Sequence, residues 1–136
     1  FRNGEACRVS RCARLGDALT ATGFNPQSGP DEIARAVQVL EPVLKQSRGV
    51  RRAGSAALDL TFVADGTLDA YWEGTLMPWD SAAGAALALA AGGRVTALDG
   101  GPANLDRGHL LATNGLIHAE MLALVRALDS GPVRLH

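Results

Sequence analysis

The stretch that organises this chain is Trp79-Asp80-Ser81-Ala82-Ala83-Gly84, which follows Tyr71-Trp72-Glu73-Gly74. An apolar strand ends at Glu73, and Asp80 begins a run of small residues that predicts a helix from 80 to 91, closed by Gly92-Gly93. A turn and a helix start have little structural need for two acids in so apolar a setting. We therefore interpret Asp80 as a candidate metal ligand and Glu73 as a candidate carboxylate for ligand recognition.

Working outward from this stretch, predicted strands and helices alternate along the chain. Apolar runs bounded by turn residues predict strands at 17–23, 50–52, 68–72, 94–98 and 110–113. Helical spacing and cap residues predict helices at 31–45 with Asp31 as its cap, 56–64 with Ser55 as its cap, 80–91 and 116–128. The alternation favours a layered α/β domain with helices on both faces of the sheet.

Two of the predicted helices, 31–45 and 116–128, are amphipathic, and we interpret their apolar stripes as core-facing. In the first helix the apolar positions at helical spacing are Ile33, Ala36, Val37, Leu40, Val43 and Leu44.

Length and composition limit the classes of function. The 136 residues suffice for one domain with a core, and the residues are 47% hydrophobic but only 4% aromatic. The net charge is −1 and no basic stripe is present, which argues against nucleic acid as the main partner. No apolar run reaches the ~18 residues that a membrane span needs, so we expect no membrane partner.

The cysteines and the N-terminus indicate the context of the chain. Cys7 and Cys12 fit neither a zinc site nor a redox pair, and we expect free thiols in a reducing cytoplasm. The first residues, 1–5, have no start methionine and no signal-peptide pattern, so we expect a fragment or an excised domain.

Each candidate residue also has an ordinary structural interpretation. At a helix start, Asp80 could cap free N–H groups, or it could be the hard oxygen ligand that Mg²⁺ prefers, and the two roles are compatible. Glu73 could be a solvated charge at a strand end, or it could accept hydrogen bonds from the hydroxyls of a polyol. Gly54, Ser55 and Ala56 could form a simple helix cap, or they could allow a ligand to approach the helix N-terminus closely.

Other motifs for metal binding, nucleotide binding or nucleophilic catalysis are weak or absent in the sequence. His109, His118 and His136 have no metal-ligand spacing, and we expect His118 to be a surface residue. The sequence contains no Walker loop and no Gly-x-Ser-x-Gly motif.

Four runs strongly resemble the inositol monophosphatase family. They are Gly-Ser-Ala-Ala-Leu-Asp-Leu (54–60), Val-Ala-Asp-Gly (63–66), Leu-Asp-Ala-Tyr-Trp-Glu (68–73) and Trp-Asp-Ser-Ala-Ala-Gly (79–84). The last motif is specific at this spacing, and the resemblance extends from about residue 17 to the C-terminal end.

This resemblance implies a Mg²⁺-dependent phosphomonoesterase, commonly a homodimer and often inhibited by Li⁺. By it, residues 1–136 are the C-terminal α-β-α half of an αβαβα fold, and the metal-binding N-terminal half is absent from the chain. Asp80 matches a metal ligand, Glu73 matches the residue that binds substrate hydroxyls, and Gly54, Ser55 and Ala56 match the segment that lines the substrate.

The sequence departs from the family in one large respect. The family's Glu-rich motif and its Asp-Pro-x-Asp-Gly-Thr/Ser motif, which supply the other metal ligands, do not occur in these 136 residues. We therefore expect the fragment alone to be inactive. Histidinol phosphate, fructose 1,6-bisphosphate and an adenosine 3′,5′-bisphosphate remain alternative substrates to inositol 1-phosphate. A non-catalytic binding or dimerisation module is the alternative from another class.

Overall fold

The structure is a computed structural model that describes residues 1–129. Its centre is a mixed five-stranded sheet with the order β2-β1-β3-β5-β4, so that β3 is the middle strand. The strands are β1 (Leu19–Thr22), β2 (Gly49–Arg51), β3 (Ala70–Glu73), β4 (Arg94–Thr96) and β5 (Leu110–Thr113). Strands β2, β1 and β3 are parallel, and β5 is antiparallel to both β3 and β4.

Helices cover both faces of this sheet. The α-helices of the described chain are α1 (Pro30–Gln46), α2 (Ala56–Ala64), α3 (Pro78–Ala90) and α4 (His118–Val125). Helices α1 and α4 share one hydrophobic core with Trp72, whereas α2 and α3 share another with Tyr71. Because neighbouring strand residues point to opposite faces, the two cores lie on opposite sides of β3. The predicted layered α-β-α sandwich is confirmed.

Helices α2 and α3 pack against each other at unusually close range. A Cβ atom added at Gly84 of α3 would lie 2.5 Å from the Cβ of Leu60 on α2. Such a distance is shorter than any ordinary contact, so this crossing accommodates only a glycine. The pair of helices is therefore held together by direct backbone-to-side-chain packing.

The predicted starts of two helices are wrong by one or two residues. Helix α1 is capped by Gly29 and not by Asp31, and its first residue is Pro30. Helix α3 begins at Pro78, two residues before Asp80. Proline has no N–H and a preset φ, which suits the first position of a helix, and this explains both shifts. The predicted cap of α2 by Ser55 is confirmed.

The expectation that the stripe of α1 faces the core is only partly correct. Val43 and Val39 are buried, but Ile33, Val37 and Leu44 are 46%, 57% and 52% exposed. The apolar stripe of α1 is thus wider than the part of the helix that packs against the sheet.

Three further expectations concern the cysteines, the membrane-spanning helices and the last helix of residues 1–129. Cys7 and Cys12 are free thiols, as predicted. No helix in this part of the chain has the length and apolarity that a membrane crossing requires. The last predicted helix ends early, because α4 stops at Val125 and continues as a 3-10 turn, Arg126–Asp129. His136 lies outside the described residues.

The prediction that His118 lies at the surface is wrong, because this side chain is only 1% exposed. Its ring joins α4 to two strands, with Nε2 2.9 Å from the hydroxyl of Thr96 and Nδ1 2.9 Å from the hydroxyl of Thr113. Burial and the nearby charge of Arg94 lower the pKa of His118 to about 4. The neutral ring is therefore the form that the fold accommodates.

This lowered pKa predicts a loss of stability in acid. Below its ordinary pKa of 6.5, His118 takes up a proton in the unfolded chain before it does so in the folded one, so stability falls between pH 6.5 and about 4. The full shift corresponds to about 3 kcal/mol. Urea unfolding at several pH values should show that His118→Gln removes most of this slope. A His109→Gln control, at a less buried position, should retain it; equal slopes in wild type and His118→Gln would contradict the assignment.

Candidate functional site

Glu73 is the last residue of the central strand β3, and its carboxylate is held by two neighbours. Tyr71 lies two positions earlier, on the same face of the strand, and its hydroxyl donates a short hydrogen bond to Oε2 of Glu73. The Thr75 hydroxyl donates to Oε1 at 3.5 Å. Glu73 is thus fixed in place and is not a freely solvated charge.

Gly23 makes room for this carboxylate at the end of the neighbouring strand. Strand β1 runs parallel to β3, with Thr22 opposite Trp72, so Gly23 comes next to Glu73. A Cβ atom at Gly23 would overlap the carboxylate of Glu73. Any other residue there would displace the Glu73 side chain.

The segment Gly54, Ser55 and Ala56 forms the start of α2. The Ser55 hydroxyl accepts a hydrogen bond from the N–H of Leu58 at 3.4 Å, which is the geometry of an N-cap. The other N–H groups of the first turn have no partner within the helix, so this end favours electronegative ligand atoms.

Asp80 lies in the first turn of α3, where its side chain also acts as a cap. Its Oδ2 accepts a hydrogen bond from the backbone N–H of Met77 at 3.1 Å. A carboxylate has about four lone-pair sites, so this contact leaves capacity for a cation. The capping role that the sequence allows is present, and it does not conflict with the metal-ligand role.

The structure brings all five predicted site residues to a single cavity of about 390 Å³. Glu73 comes from a strand end, Gly54, Ser55 and Ala56 from the start of α2, and Asp80 from the start of α3. Residues that are up to 26 positions apart in the sequence thus line the same cavity.

Three further residues of the cavity were missed from the sequence, namely Tyr71, Arg52 and Asp59. Tyr71 could have been found from the period of two along a strand, which places it on the same face as Glu73. Asp59 is the only charged residue in the apolar run Ala56-Ala57-Leu58-Asp59-Leu60, and a single charge in such a run could have identified it as a candidate site residue. Arg52 follows strand β2 directly and has no distinctive sequence signal.

Burial raises the pKa values of two carboxyl groups of the cavity, those of Glu73 and Asp59. Burial raises the pKa of Glu73, and the charge of Asp80 raises it further, while the hydrogen bonds from Tyr71 and Thr75 and the charge of Arg52 oppose this shift. Burial raises the pKa of Asp59 to about 6, the charge of Glu73 adds to this, and Arg52 again opposes it. Shifts of this kind, in a cleft, are typical of functional sites.

Asp80 is the candidate metal ligand of the cavity. Residues 1–129 contain no group of three His, Cys, Asp or Glu side chains that could hold an ion. Mg²⁺, however, commonly uses one or two protein carboxylates and completes its shell with water and phosphate. The side chain of Asp80 is of the type that takes one such position.

Comparison with known proteins gives a consistent result. Residues 1–130 match the inositol monophosphatase family. The inositol-1-monophosphatase of Synechocystis sp. is 55% identical over 119 residues, which are 88% of this chain and 41% of that protein. The Nus factor SuhB of Pseudomonas aeruginosa is 38% identical over 125 residues, which are 91% of this chain and 46% of that protein.

The fold agrees with solved structures of the same group. The inositol monophosphatase from Anabaena (Nostoc) sp. PCC 7120 superposes with a TM-score of 0.83 at 41% identity, over 98% of this chain and 52% of that one. The chain thus spans about half the length of the relatives that it matches. By its sequence and its fold together, this chain belongs to the inositol monophosphatase family.

Proposed function

We propose that this chain is the C-terminal half of a Mg²⁺-dependent phosphomonoesterase that hydrolyses a polyol or sugar monophosphate such as inositol 1-phosphate. The observation that supports this most is the meeting of Glu73, Asp80 and the start of α2 at one cavity. Family membership supports the phosphatase chemistry.

The residues of this chain divide the work of binding. Glu73, held by Tyr71, accepts hydrogen bonds from substrate hydroxyls. The N-terminus of α2 at Gly54, Ser55 and Ala56 presents N–H groups to the polar edge of the substrate. Asp80 provides one carboxylate for the metal. When bound, Mg²⁺ supplies the charge that neutralises phosphate and activates a water molecule for attack.

We further propose that an N-terminal half supplies the missing acidic motifs and that the complete enzyme is a cytoplasmic homodimer inhibited by Li⁺. Histidinol phosphate, fructose 1,6-bisphosphate and an adenosine 3′,5′-bisphosphate remain alternative substrates. A non-catalytic binding module remains the second candidate, because one relative is named a Nus factor and not a phosphatase.

The first prediction is that residues 1–136 alone hydrolyse no phosphate monoester. Asp80 is one ligand where the chemistry needs several, and no group of three candidate ligands exists in residues 1–129. An assay of the purified chain with Mg²⁺ and inositol 1-phosphate tests this. Turnover comparable to that of a complete family enzyme would show that no acidic motifs are needed from elsewhere.

The second prediction concerns the apolar surface of the isolated chain. On α3, Trp79 and Leu89 are 75% and 55% exposed, and on the other face of the sheet Val37 and Leu116 are 57% and 59% exposed. An N-terminal half would cover such side chains where they form a contiguous surface. We expect the chain on its own to aggregate or to bind a hydrophobic dye. Light scattering and dye fluorescence measure this, and a monodisperse monomer without dye binding would argue that these side chains need no partner.

The third prediction separates Glu73 from Asp80 in the complete enzyme. Glu73→Gln removes a charged acceptor for substrate hydroxyls, and losing such a hydrogen bond costs roughly 1.5–3 kcal/mol. This corresponds to a loss on the order of tenfold to a hundredfold in kcat/KM for inositol 1-phosphate. A small aryl phosphate, which has no such hydroxyls, should be nearly unaffected.

Asp80→Asn should instead weaken Mg²⁺ binding and lower both activities, with partial rescue by excess Mg²⁺. The measured quantity is the ratio of the two kcat/KM values, which Glu73→Gln should reduce and Asp80→Asn should leave roughly unchanged. Glu120→Gln, an exposed position on α4 across the sheet, is the matched control. Equal losses on both substrates in Glu73→Gln would remove the support for its role in substrate recognition.

A further inference from the structure

Asp59 is a buried acidic residue of helix α2. It lies in the first turn of this helix, beside the core residue Leu60, and is only 1% exposed. Its Oδ1 is buried and has no hydrogen-bond partner among residues 1–129. Nearly all buried polar atoms in proteins are hydrogen-bonded, so an unpaired carboxylate oxygen calls for an explanation.

The position of Asp59 suggests where the missing partner comes from. Its side chain is part of the wall of the candidate cavity, together with Glu73, Arg52 and Ser55. Glu73 and Arg52 are close enough to Asp59 for their charges to act on its pKa, with Glu73 raising it and Arg52 lowering it. The residue that carries the unpaired oxygen is therefore part of the wall of the candidate ligand site.

The charge at Asp59 also lowers the stability of the folded chain. Burial raises the pKa of this carboxyl to about 6, so at neutral pH the fold contains an ionised group that it disfavours. A structural role in α2 would be served better by a neutral residue of the same size. A group that opposes folding at a cleft is typical of a functional residue.

We infer that Asp59 is a second ligand-binding carboxyl of this site, whose Oδ1 accepts a hydrogen bond from a hydroxyl group of the substrate's polyol or sugar portion. This inference rests on the proposed function, which it makes more specific. A carboxylate repels phosphate, so Asp59 belongs with the hydroxyl-bearing end of the substrate, as Glu73 does. The guanidinium of Arg52 offsets part of the repulsion between the two acids.

The test uses the Asp59→Asn variant of the complete enzyme, which keeps the size of the side chain and removes its charge. KM for inositol 1-phosphate should rise about tenfold while kcat changes much less, because the lost contact is to the bound substrate. KM for 4-nitrophenyl phosphate should not change. Asp17→Asn is the matched control, because Asp17 is exposed and precedes β1, at the opposite end of the strand from Gly23.

A second readout is independent of turnover. The melting temperature of Asp59→Asn should exceed that of wild type at pH 7.5, and the gain should disappear near pH 4, where the wild-type carboxyl is protonated in the fold. Added myo-inositol should raise the melting temperature of wild type and raise that of Asp59→Asn much less. Asp17→Asn should respond like wild type in each of these measurements.

Each outcome decides the inference. An unchanged KM for inositol 1-phosphate, or equal losses on both substrates, would overturn it, and so would a lower melting temperature of Asp59→Asn at pH 7.5. If wild type hydrolyses neither phosphate, the proposed function fails and the myo-inositol measurement decides for Asp59 alone. A myo-inositol effect that is present in wild type and lost in Asp59→Asn would then support it, and no effect in wild type would reject it.

Discussion

The alternation of side chains along β3 is the constraint on which the rest of the structure depends. Trp72 points to one face of the sheet and anchors the core beneath α1 and α4, while Tyr71 points to the other and anchors the core beneath α2 and α3. The same period of two places Glu73 on the Tyr71 side, where the phenol hydroxyl reaches its carboxylate. One short strand thus sets both the layering of the domain and the orientation of its main candidate ligand-binding group.

The candidate site contains acidic groups whose burial disfavours folding. Several acidic groups meet at one cavity, and the pKa values of Glu73 and Asp59 are raised because burial disfavours their charged forms. The positive charge of the exposed residue Arg52 opposes both shifts. Burial of acidic groups at a cavity disfavours the folded state, and such groups are typical of functional sites.

Local signals in the sequence predicted the elements well, because strands, helices and caps depend on neighbouring residues. Ser55, for example, caps α2 as expected. Burial was harder to predict, since it depends on what packs from elsewhere: His118 lies inside because Thr96 and Thr113 from two strands reach its ring. The stripe of α1 was predicted as buried, yet much of it is exposed, because helical spacing reveals an apolar side without revealing what covers it. Glu73 and Asp80 were found through a motif, whereas the unpaired Oδ1 of Asp59 is visible only in three dimensions.

The close crossing at Gly84 has a consequence for the geometry of ligand entry. Because Leu60 fills the space where a methyl group would stand, the close spacing of α2 and α3 depends on Gly84. Ser55 and Asp80, at the starts of these two helices, both line the cavity. The distance between the two helices, and so the width of the cavity, depends on the missing side chain of Gly84, one turn after Asp80. Evolution could therefore retune the width of the opening, and with it the size of molecule admitted, without altering any residue that a ligand touches.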